Sequence, residues 1–227
     1  MVFCSPKGRY ARGEETRQRI IDTAIEIFGR KGFADTSTRD IAAAAGINTP
    51  AIQYYFDSKL GLYTACMDQL TSRIWHRIGP AIEVCQATLA GTPTLAEVIA
   101  LASAVQDCLI DSFFSDSEGL AIRRIKAWAD AENGAGKPNE LMKTRVGEPI
   151  FETFRLIVDY VSSVPMDPIE RDLHANALIG TSMIFHIDRT HFFEVVGCDH
   201  SHDDFMADFK TVAGAHLAFA LTGLSAK

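Results

Sequence analysis

Apolar residues recur along the chain at intervals of three and four, the spacing that gives a helix one apolar face. The clearest stripe is formed by Ile20, Ile21, Ala24, Ile25 and Phe28. No convincing stretch alternates apolar and polar residues between turn signals, as a half-buried strand would. The pattern therefore predicts an all-α protein.

Capping residues and helix breakers divide this pattern into segments. Ser58 and Thr94 each precede a long periodic stretch, and Gly79-Pro80 is expected to break the helix that Ser58 caps. Pro149 is expected to kink or split a later helix. After the first stripe, the predicted helices are Thr38–Ala45, one from Asn48 or Thr49 to Phe56, Lys59–Arg77, Pro80–Leu89, Thr94–Phe114, Ser117–Ala131, Asn139–Val164, Pro168–Glu194 and Asp203–Leu221.

The segment TRDIAAAAGINTPAIQYYFDSK, from Thr38 to Lys59, has the features of a helix-turn-helix. Ala42 is small enough for close helix approach, and Gly46 tolerates the positive φ that a tight turn requires. The residues spaced to bury the second helix are Ile41, Ala45, Ile47, Ile52 and Tyr55 or Phe56. The outer face is polar and aromatic, which suits a helix in the major groove of DNA: Thr49, Pro50, Gln53 and Tyr54. A plain helical hairpin inside a bundle is the alternative.

Charge is distributed unevenly along the 227 residues, whose formal net charge is −7. Residues 1–60 contain nine Lys or Arg and seven Asp or Glu, whereas the remainder contributes a net charge of −9. A basic N-terminal segment followed by an acidic remainder indicates one localised anionic partner. The alternative is a basic tail that is merely solvated. Hydrophobic residues make up 47% and charged residues 22%, which is typical of a globular protein and excludes a disordered chain.

Residues 14–67 resemble the DNA-binding domain of TetR-family transcriptional regulators. The matching motifs are A-x-x-x-F-x-x-x-G-F from Ala24 to Phe33, T-S-T-R-D-I-A from Thr36 to Ala42, A-G-I from Ala45 to Ile47 and Y-Y-F-x-x-K-x-x-L-Y from Tyr54 to Tyr63. The P-A-I-Q-Y-Y-F stretch is most similar to the CecR-like branch. Beyond residue 75 only the helical plan and the length agree with the family.

The resemblance implies an all-helical homodimer. An N-terminal arm and a three-helix helix-turn-helix domain occupy residues 1–60, and a helical effector-binding and dimerisation domain occupies residues 61–227. The residues implied to face DNA are Thr38, Arg39, Thr49, Pro50, Ala51, Gln53, Tyr54, Tyr55 and Lys59. Gln53 can pair with adenine, and the Tyr55 hydroxyl can donate to a phosphate. The arm Lys7–Arg12 either adds affinity, in the minor groove or along the DNA backbone, or stays disordered without contact.

The resemblance also implies a small apolar or aromatic effector in the C-terminal domain. Its predicted wall combines large apolar side chains with a few polar groups: Phe113, Phe114, Arg123, Trp128, Met142, Phe151, Phe154, His186 and Asp188. An ordinary place in the core is the alternative for each aromatic residue. A dimer surface is predicted from Gly147–Val161 and Ile169–Asp188, where small residues such as Gly180 permit close helix approach.

The predicted function is a ligand-responsive repressor that binds a palindromic DNA operator in the cytoplasm, associated with the nucleoid. One alternative is a DNA-binding protein of the same fold that is controlled by a protein partner. Another is a metal-dependent enzyme using the region His186–His202, whose histidines lack the i, i+4 spacing of a helical metal site. No cofactor, metal or catalytic residue is predicted. The sequence contains no uncharged run of 18 residues, so no membrane partner is predicted either.

Overall fold

The computed structural model of the protein describes residues 6–114, 137–187 and 202–226. Every regular element within these ranges is helical, so the all-α prediction is confirmed there. The elements are α1 (Pro6–Lys31), α2 (Thr38–Ala44), α3 (Thr49–Phe56), α4 (Lys59–Leu89), α5 (Leu95–Phe114), α6 (Lys137–Met142), a π-helical segment (Lys143–Gly147), α7 (Glu148–Val161), α8 (Pro168–Ile187) and α9 (His202–Ser225). The predicted helix Ser117–Ala131 lies outside the described residues. No helix in the described ranges is both long and apolar enough to cross a membrane.

The described residues form two compact units. The first contains residues 6–72 and 137–143, and the second contains residues 73–114, 144–187 and 202–226. The division falls inside α4, between Ser72 and Arg73, whereas the predicted domain boundary follows residue 60. The first turns of α4 stay with the first unit because they pack on α1, where the Cys66 thiol lies 3.7 Å from the Ile21 carbonyl oxygen.

An aromatic cluster closes the core of the first unit. Phe28 and Tyr63 are buried and meet edge to face, with ring centroids 4.9 Å apart. The Phe33 ring lies 5.0 Å from that of Tyr63 and 6.0 Å from that of Phe28. These aromatic positions of the sequence motifs therefore hold the end of α1 against α4.

Short polar side chains cap the helices, as predicted from the sequence. Asn48, rather than Thr49, caps α3, and its Oδ1 accepts a hydrogen bond of 3.2 Å from the backbone N–H three residues on. Ser58 Oγ caps α4 in the same way at 3.0 Å. At Thr94 the cap is reciprocal, because the Glu97 carboxylate accepts from the backbone N–H of Thr94 at 2.7 Å. These bonds satisfy N–H groups that a helix start leaves without partners.

The predicted break at Gly79-Pro80 is wrong, because α4 continues from Lys59 to Leu89. A proline inside a helix removes one hydrogen bond and costs about 3 kcal/mol. Pro80 is exposed, whereas Ile78 and Ile82 on either side of it are buried. Burial of this continuous apolar face offsets the local cost of the proline, so the helix is not interrupted.

Pro149 splits the later helical stretch, as predicted. Five residues of π-helix separate α6 from α7, and Pro149 lies in the first turn of α7. Proline is tolerated there because the first N–H groups of a helix have no intrahelical acceptor. The residues that α7 then buries are Ile150, Thr153, Phe154, Ile157, Val158 and Val161.

Ion pairs connect the helices of the second unit. Arg155 of α7 forms a bidentate pair with Asp172 of α8, with Nε–Oδ1 and Nη2–Oδ2 distances of 2.7 and 2.6 Å. Hydrogen bonding from Arg155 lowers the pKa of Asp172, so the carboxylate stays ionised at neutral pH. Lys210 of α9 pairs with Asp111 of α5 at 2.6 Å. These contacts set the helices in register over the apolar core.

Candidate nucleic-acid interface

The turn between α2 and α3 has the geometry predicted for a helix-turn-helix. Gly46 has a φ of 65°, in the left-handed region that favours glycine. The backbone N–H of Ile47 donates to the Ala42 carbonyl oxygen at 3.0 Å and closes the turn directly after α2. Ala42 itself is buried, which agrees with its expected place where the two helices approach.

One side of α3 is buried against the unit. Ile52 and Phe56 are its buried residues. The sequence offered Tyr55 or Phe56 as the buried residue at the end of this helix, and the structure buries Phe56. The Arg17 guanidinium of α1 lies over the Phe56 ring, 5.5 Å from its centroid. α1 therefore supports α3 from behind, and the opposite side of α3 is open.

The open side of α3 and the start of α2 carry most of the residues predicted to face DNA. The exposed ones are Arg39, Thr49, Pro50, Gln53 and Tyr54, and the half-buried ones are Thr38 and Ala51. Tyr54 is 81% exposed, and its ring meets that of Tyr55 edge to face at a centroid distance of 5.0 Å. An amide and an aromatic hydroxyl thus project into solvent from adjacent positions of one short helix.

Tyr55 lies at the seam between α1 and α3. It is half-buried, and a Cβ atom placed on Gly13 would lie 3.8 Å from its hydroxyl oxygen. The first half of α1 therefore runs past the hydroxyl that the sequence assigns to a DNA phosphate. That phosphate contact stays a prediction.

Lys59, the first residue of α4, is held by the turn that follows α1. Its Nζ donates to the Ala34 carbonyl oxygen at 3.1 Å and lies 4.4 Å from the centroid of the Phe33 ring. Lys59 was predicted from the sequence to contact DNA, but its contact with Phe33 was not predicted. The sequence hinted at that contact only in that both residues belong to the family motifs.

The start of α2 is fixed by a cap and an ion pair. The Ser37 hydroxyl accepts a hydrogen bond of 3.1 Å from the backbone N–H of Asp40, and Lys31 Nζ lies 3.2 Å from the Asp40 carboxylate. Hydrogen bonding from Lys31, and then from Ser37, lowers the pKa of Asp40. The ionised carboxylate complements the positive end of the helix dipole, so Thr38 and Arg39 start from a well-defined position.

The basic N-terminal segment differs from the predicted arm. Residues Pro6–Lys31 form one helix, so Lys7–Arg12 occupies the first turns of α1. A helix with side chains is about 10–12 Å wide, whereas the minor groove is about 6 Å wide. Insertion into the minor groove and disorder therefore do not describe this segment, and contact along the DNA backbone is the predicted role that it can still perform.

The predicted effector wall is described only in part. Phe154 is fully buried, whereas Phe151 is half-buried beneath the Arg155 guanidinium, 4.5 Å from its ring centroid. Phe113 and Phe114 lie at the end of α5, and His186 lies near the end of α8. The predicted wall residues outside the described part of the chain are Arg123, Trp128 and Asp188. The wall as a whole stays a prediction.

Two buried hydroxyl groups of the second unit were missed by sequence reasoning. Ser112 of α5 and Ser182 of α8 are fully buried, and their hydroxyl oxygens have no hydrogen-bond partner among the described residues. Beside Ser182, Thr181 accepts a hydrogen bond of 2.8 Å from the Gln106 side chain of α5. Serine is common on exposed helix faces, so neither residue stood out in the sequence.

Sequence comparison supports the assignment of the first unit. The family model described as "Bacterial regulatory proteins, tetR family" matches residues 20–66. The chain is 33% identical over 86 residues to the probable HTH-type transcriptional regulator YttP of Bacillus subtilis, covering 38% of this chain and 40% of YttP. It is 38% identical over 79 residues to the HTH-type transcriptional dual regulator CecR of Shigella flexneri, covering 35% of each chain.

A third relative is the negative transcriptional regulator IcaR of the Staphylococcus aureus biofilm operon icaADBC. This chain is 37% identical to IcaR over 62 residues, which cover 26% of this chain and 33% of IcaR. Each of these three matches thus spans less than half the length of the relative.

Solved structures share the fold of almost the whole chain. SCO4454, a TetR-family regulator from Streptomyces coelicolor, aligns with a TM-score of 0.62 and 17% identity, covering 93% of this chain and 97% of its own. AibR, solved in complex with isovaleryl coenzyme A and operator DNA, aligns with a TM-score of 0.59 and 12% identity, covering 87% and 97%. At these identities the likeness shows the fold alone. Residues 20–66 thus match the model of the tetR family of bacterial regulatory proteins, and the chain shares its fold with solved structures of TetR-family regulators.

Proposed function

We propose that the protein is a transcriptional repressor that binds a palindromic DNA operator as a homodimer and is released by a small-molecule effector. The observation that carries the proposal is the open face of α3, where Gln53 and Tyr54 project into solvent from a rigidly capped helix. The repressor sense is supported by IcaR, which is named a negative regulator. A protein that acts on an operator works where the chromosome is, in the cytoplasm and on the nucleoid.

The proposed mode of binding places α3 of each subunit in the major groove. Two such helices reach successive grooves about 34–36 Å apart on one side of the DNA. In this arrangement base edges are read from α3, while the start of α2 and the Tyr55 hydroxyl meet phosphates. The complete proposed set is Thr38, Arg39, Thr49, Pro50, Ala51, Gln53, Tyr54, Tyr55 and Lys59.

Replacing Gln53 by alanine should relax the preference at one base pair of each half-site by about 1–3 kcal/mol, because a side-chain amide can bond adenine through two hydrogen bonds. The fold should be unaffected, since Gln53 is exposed. Glu83→Ala, an exposed change on α4, is the matched control. Identical sequence preferences for wild type and Gln53→Ala in a selection from random duplexes would show that Gln53 does not read a base.

The experiment that tests the proposed function is selection of genomic fragments by the purified full chain at about 150 mM salt, where binding through phosphates alone is suppressed. A palindromic consensus, bound by two chains per site in sedimentation, supports the proposal. If unfolding and refolding to remove any bound ligand still yields no enriched fragment, the chain is not a sequence-specific regulator.

We propose that the effector has an apolar or aromatic body and a hydrogen-bonding group, and that it binds within the second unit. The support is a pair of buried hydroxyls on α5 and α8, Ser112 and Ser182, for which the described part of the chain supplies no hydrogen-bond partner. A buried polar group without a partner costs about 1–3 kcal/mol, which a ligand that supplies the partner would recover. AibR, which shares the fold, was solved in complex with isovaleryl coenzyme A, and this supports a small-molecule effector here.

Ser182→Ala should leave the free energy of unfolding of the ligand-free protein unchanged or raise it by about 1 kcal/mol, because it removes an unpaired buried hydroxyl. Thr181→Val is the matched control, since it breaks the bond to Gln106 and should cost about 1–3 kcal/mol. Denaturant titration measures both. If Ser182→Ala destabilises the protein as much as Thr181→Val does, the Ser182 hydroxyl has a partner without ligand and this argument fails.

The proposed dimer surface rests on apolar side chains left exposed on α8 and α9. Ile169 and Leu173 of α8 are 72% and 65% exposed, and Phe219 of α9 is 85% exposed. The first two lie in a predicted segment, whereas Phe219 lies outside both predicted segments. Stripes of this kind are typical of surfaces that associate, and the two-chain complex in the sedimentation experiment tests the dimer.

A further inference from the structure

The contact between Lys59 and Phe33 has a geometry that restrains the lysine ammonium. Nζ lies 4.4 Å from the ring centroid and donates one hydrogen bond to the Ala34 carbonyl oxygen at 3.1 Å. A cation over an aromatic face is attracted to the negative potential of the ring. The ammonium has three N–H donors, so the bond to Ala34 leaves two for another acceptor.

The ring that holds the lysine is itself immobilised. Phe33 packs against Tyr63 and Phe28, at centroid distances of 5.0 and 6.0 Å. The preceding residue, Gly32, has a φ of 79°, and the Thr36 hydroxyl donates to its carbonyl oxygen at 2.6 Å. The turn after α1 is therefore rigid, and the ammonium is placed by contacts that do not depend on DNA.

An unrestrained lysine loses up to about 2 kcal/mol of side-chain conformational entropy when its head group is fixed. Lys59 loses part of this conformational entropy when the protein folds, so less is lost when DNA binds. We propose that Phe33 and the Ala34 carbonyl are positioning groups that pre-orient Lys59 for a DNA phosphate. The inference rests on the proposed operator binding and assigns a role in DNA affinity to a half-buried aromatic residue.

A double-mutant cycle tests the proposal on a duplex that carries the selected operator. Lys59→Met should weaken binding about tenfold at about 150 mM salt, and should lower the slope of log affinity against log salt by about 0.9, as expected for one lost phosphate contact. Phe33→Leu should weaken binding about threefold by removing the aromatic face. Phe33→Tyr keeps that face and should bind like wild type.

The deciding result is the effect of Phe33→Leu when Lys59 is already methionine. If Phe33 acts by positioning the ammonium, the second change should cause no further loss of affinity. A threefold loss in that background would overturn the proposal, because Phe33→Leu would then act through the fold alone. If wild type binds the operator while the cycle is additive, only this inference fails; if wild type binds no operator, the proposed function fails.

A measurement on the free protein tests the geometry without DNA. Methylene protons beside an aromatic face are shifted upfield by the ring current, so the Lys59 Hε signals should move to lower field in Phe33→Leu and stay in place in Phe33→Tyr. Thermal unfolding of both variants checks that the core is intact. Lys59 Hε shifts identical in wild type and Phe33→Leu would contradict the proposed contact.

Discussion

Replacing Gly61 by alanine should destabilise the first unit by about 3 kcal/mol and abolish operator binding by the protein at growth temperature. A Cβ atom at this position would overlap the Phe56 carbonyl oxygen and lie 3.2 Å from the Phe56 carbonyl carbon. These are backbone atoms, so they cannot rotate away as a flexible side chain would. The end of α3 has to move, and α3 carries the residues proposed to read DNA.

The matched control is Gly214→Ala in the interior of α9, where a Cβ atom would meet no atom of the described residues within 4 Å. Alanine is the better helix former, so this change should stabilise the protein by about 0.5–1 kcal/mol. Denaturant titration of both variants compares the two sites directly. A free energy of unfolding for Gly61→Ala within about 0.5 kcal/mol of wild type would show that the connection between α3 and α4 adapts.

Replacing Phe154 by alanine should lower the free energy of unfolding by about 3–5 kcal/mol, the usual cost of emptying a filled core position. Phe154 is fully buried in the apolar face of α7, which packs in the core of the second unit. Its neighbours on that face, Ile150, Ile157 and Val158, are buried as well. The measurement is chemical unfolding of the purified protein without effector.

This change also separates the two roles considered for Phe154. Phe151→Ala is the control, because Phe151 is half-buried on the same helix and should lose less stability. If Phe154 lines an effector site with space beside it, its truncation should cost no more than that of Phe151. A full core penalty would favour the ordinary core position over the effector wall.

Local signals in the sequence were sufficient where a short stretch of chain determines the conformation. The caps at Asn48, Ser58 and Thr94 depend on a side chain and a backbone N–H a few residues away. Gly46 has the positive φ expected of it because its own lack of a side chain permits that conformation. The exposed side of α3 followed from helical periodicity over eight residues.

Local signals failed where distant packing competes with them. Pro80 breaks no helix, because the buried face that includes Ile78 and Ile82 continues through it. The compact units divide inside α4, where Cys66 packs on α1, and this contact between distant parts of the chain has no local signal. The domain boundary after residue 60 stays a prediction. The arm expected at Lys7–Arg12 is helical because it continues α1 without a stop signal.

Periodicity, caps and motifs thus established the helical class, the helix-turn-helix and the residues that it presents. Each of these features is encoded within about one or two helical turns of the residues concerned. Two features became apparent only in the folded chain: the position of the Lys59 ammonium over Phe33, and the buried hydroxyls of Ser112 and Ser182, which have no partner in the described ranges. The first feature arises where a helix packs on a turn, and the second where helices far apart in sequence pack together. No local pattern specifies which side chains meet at such places.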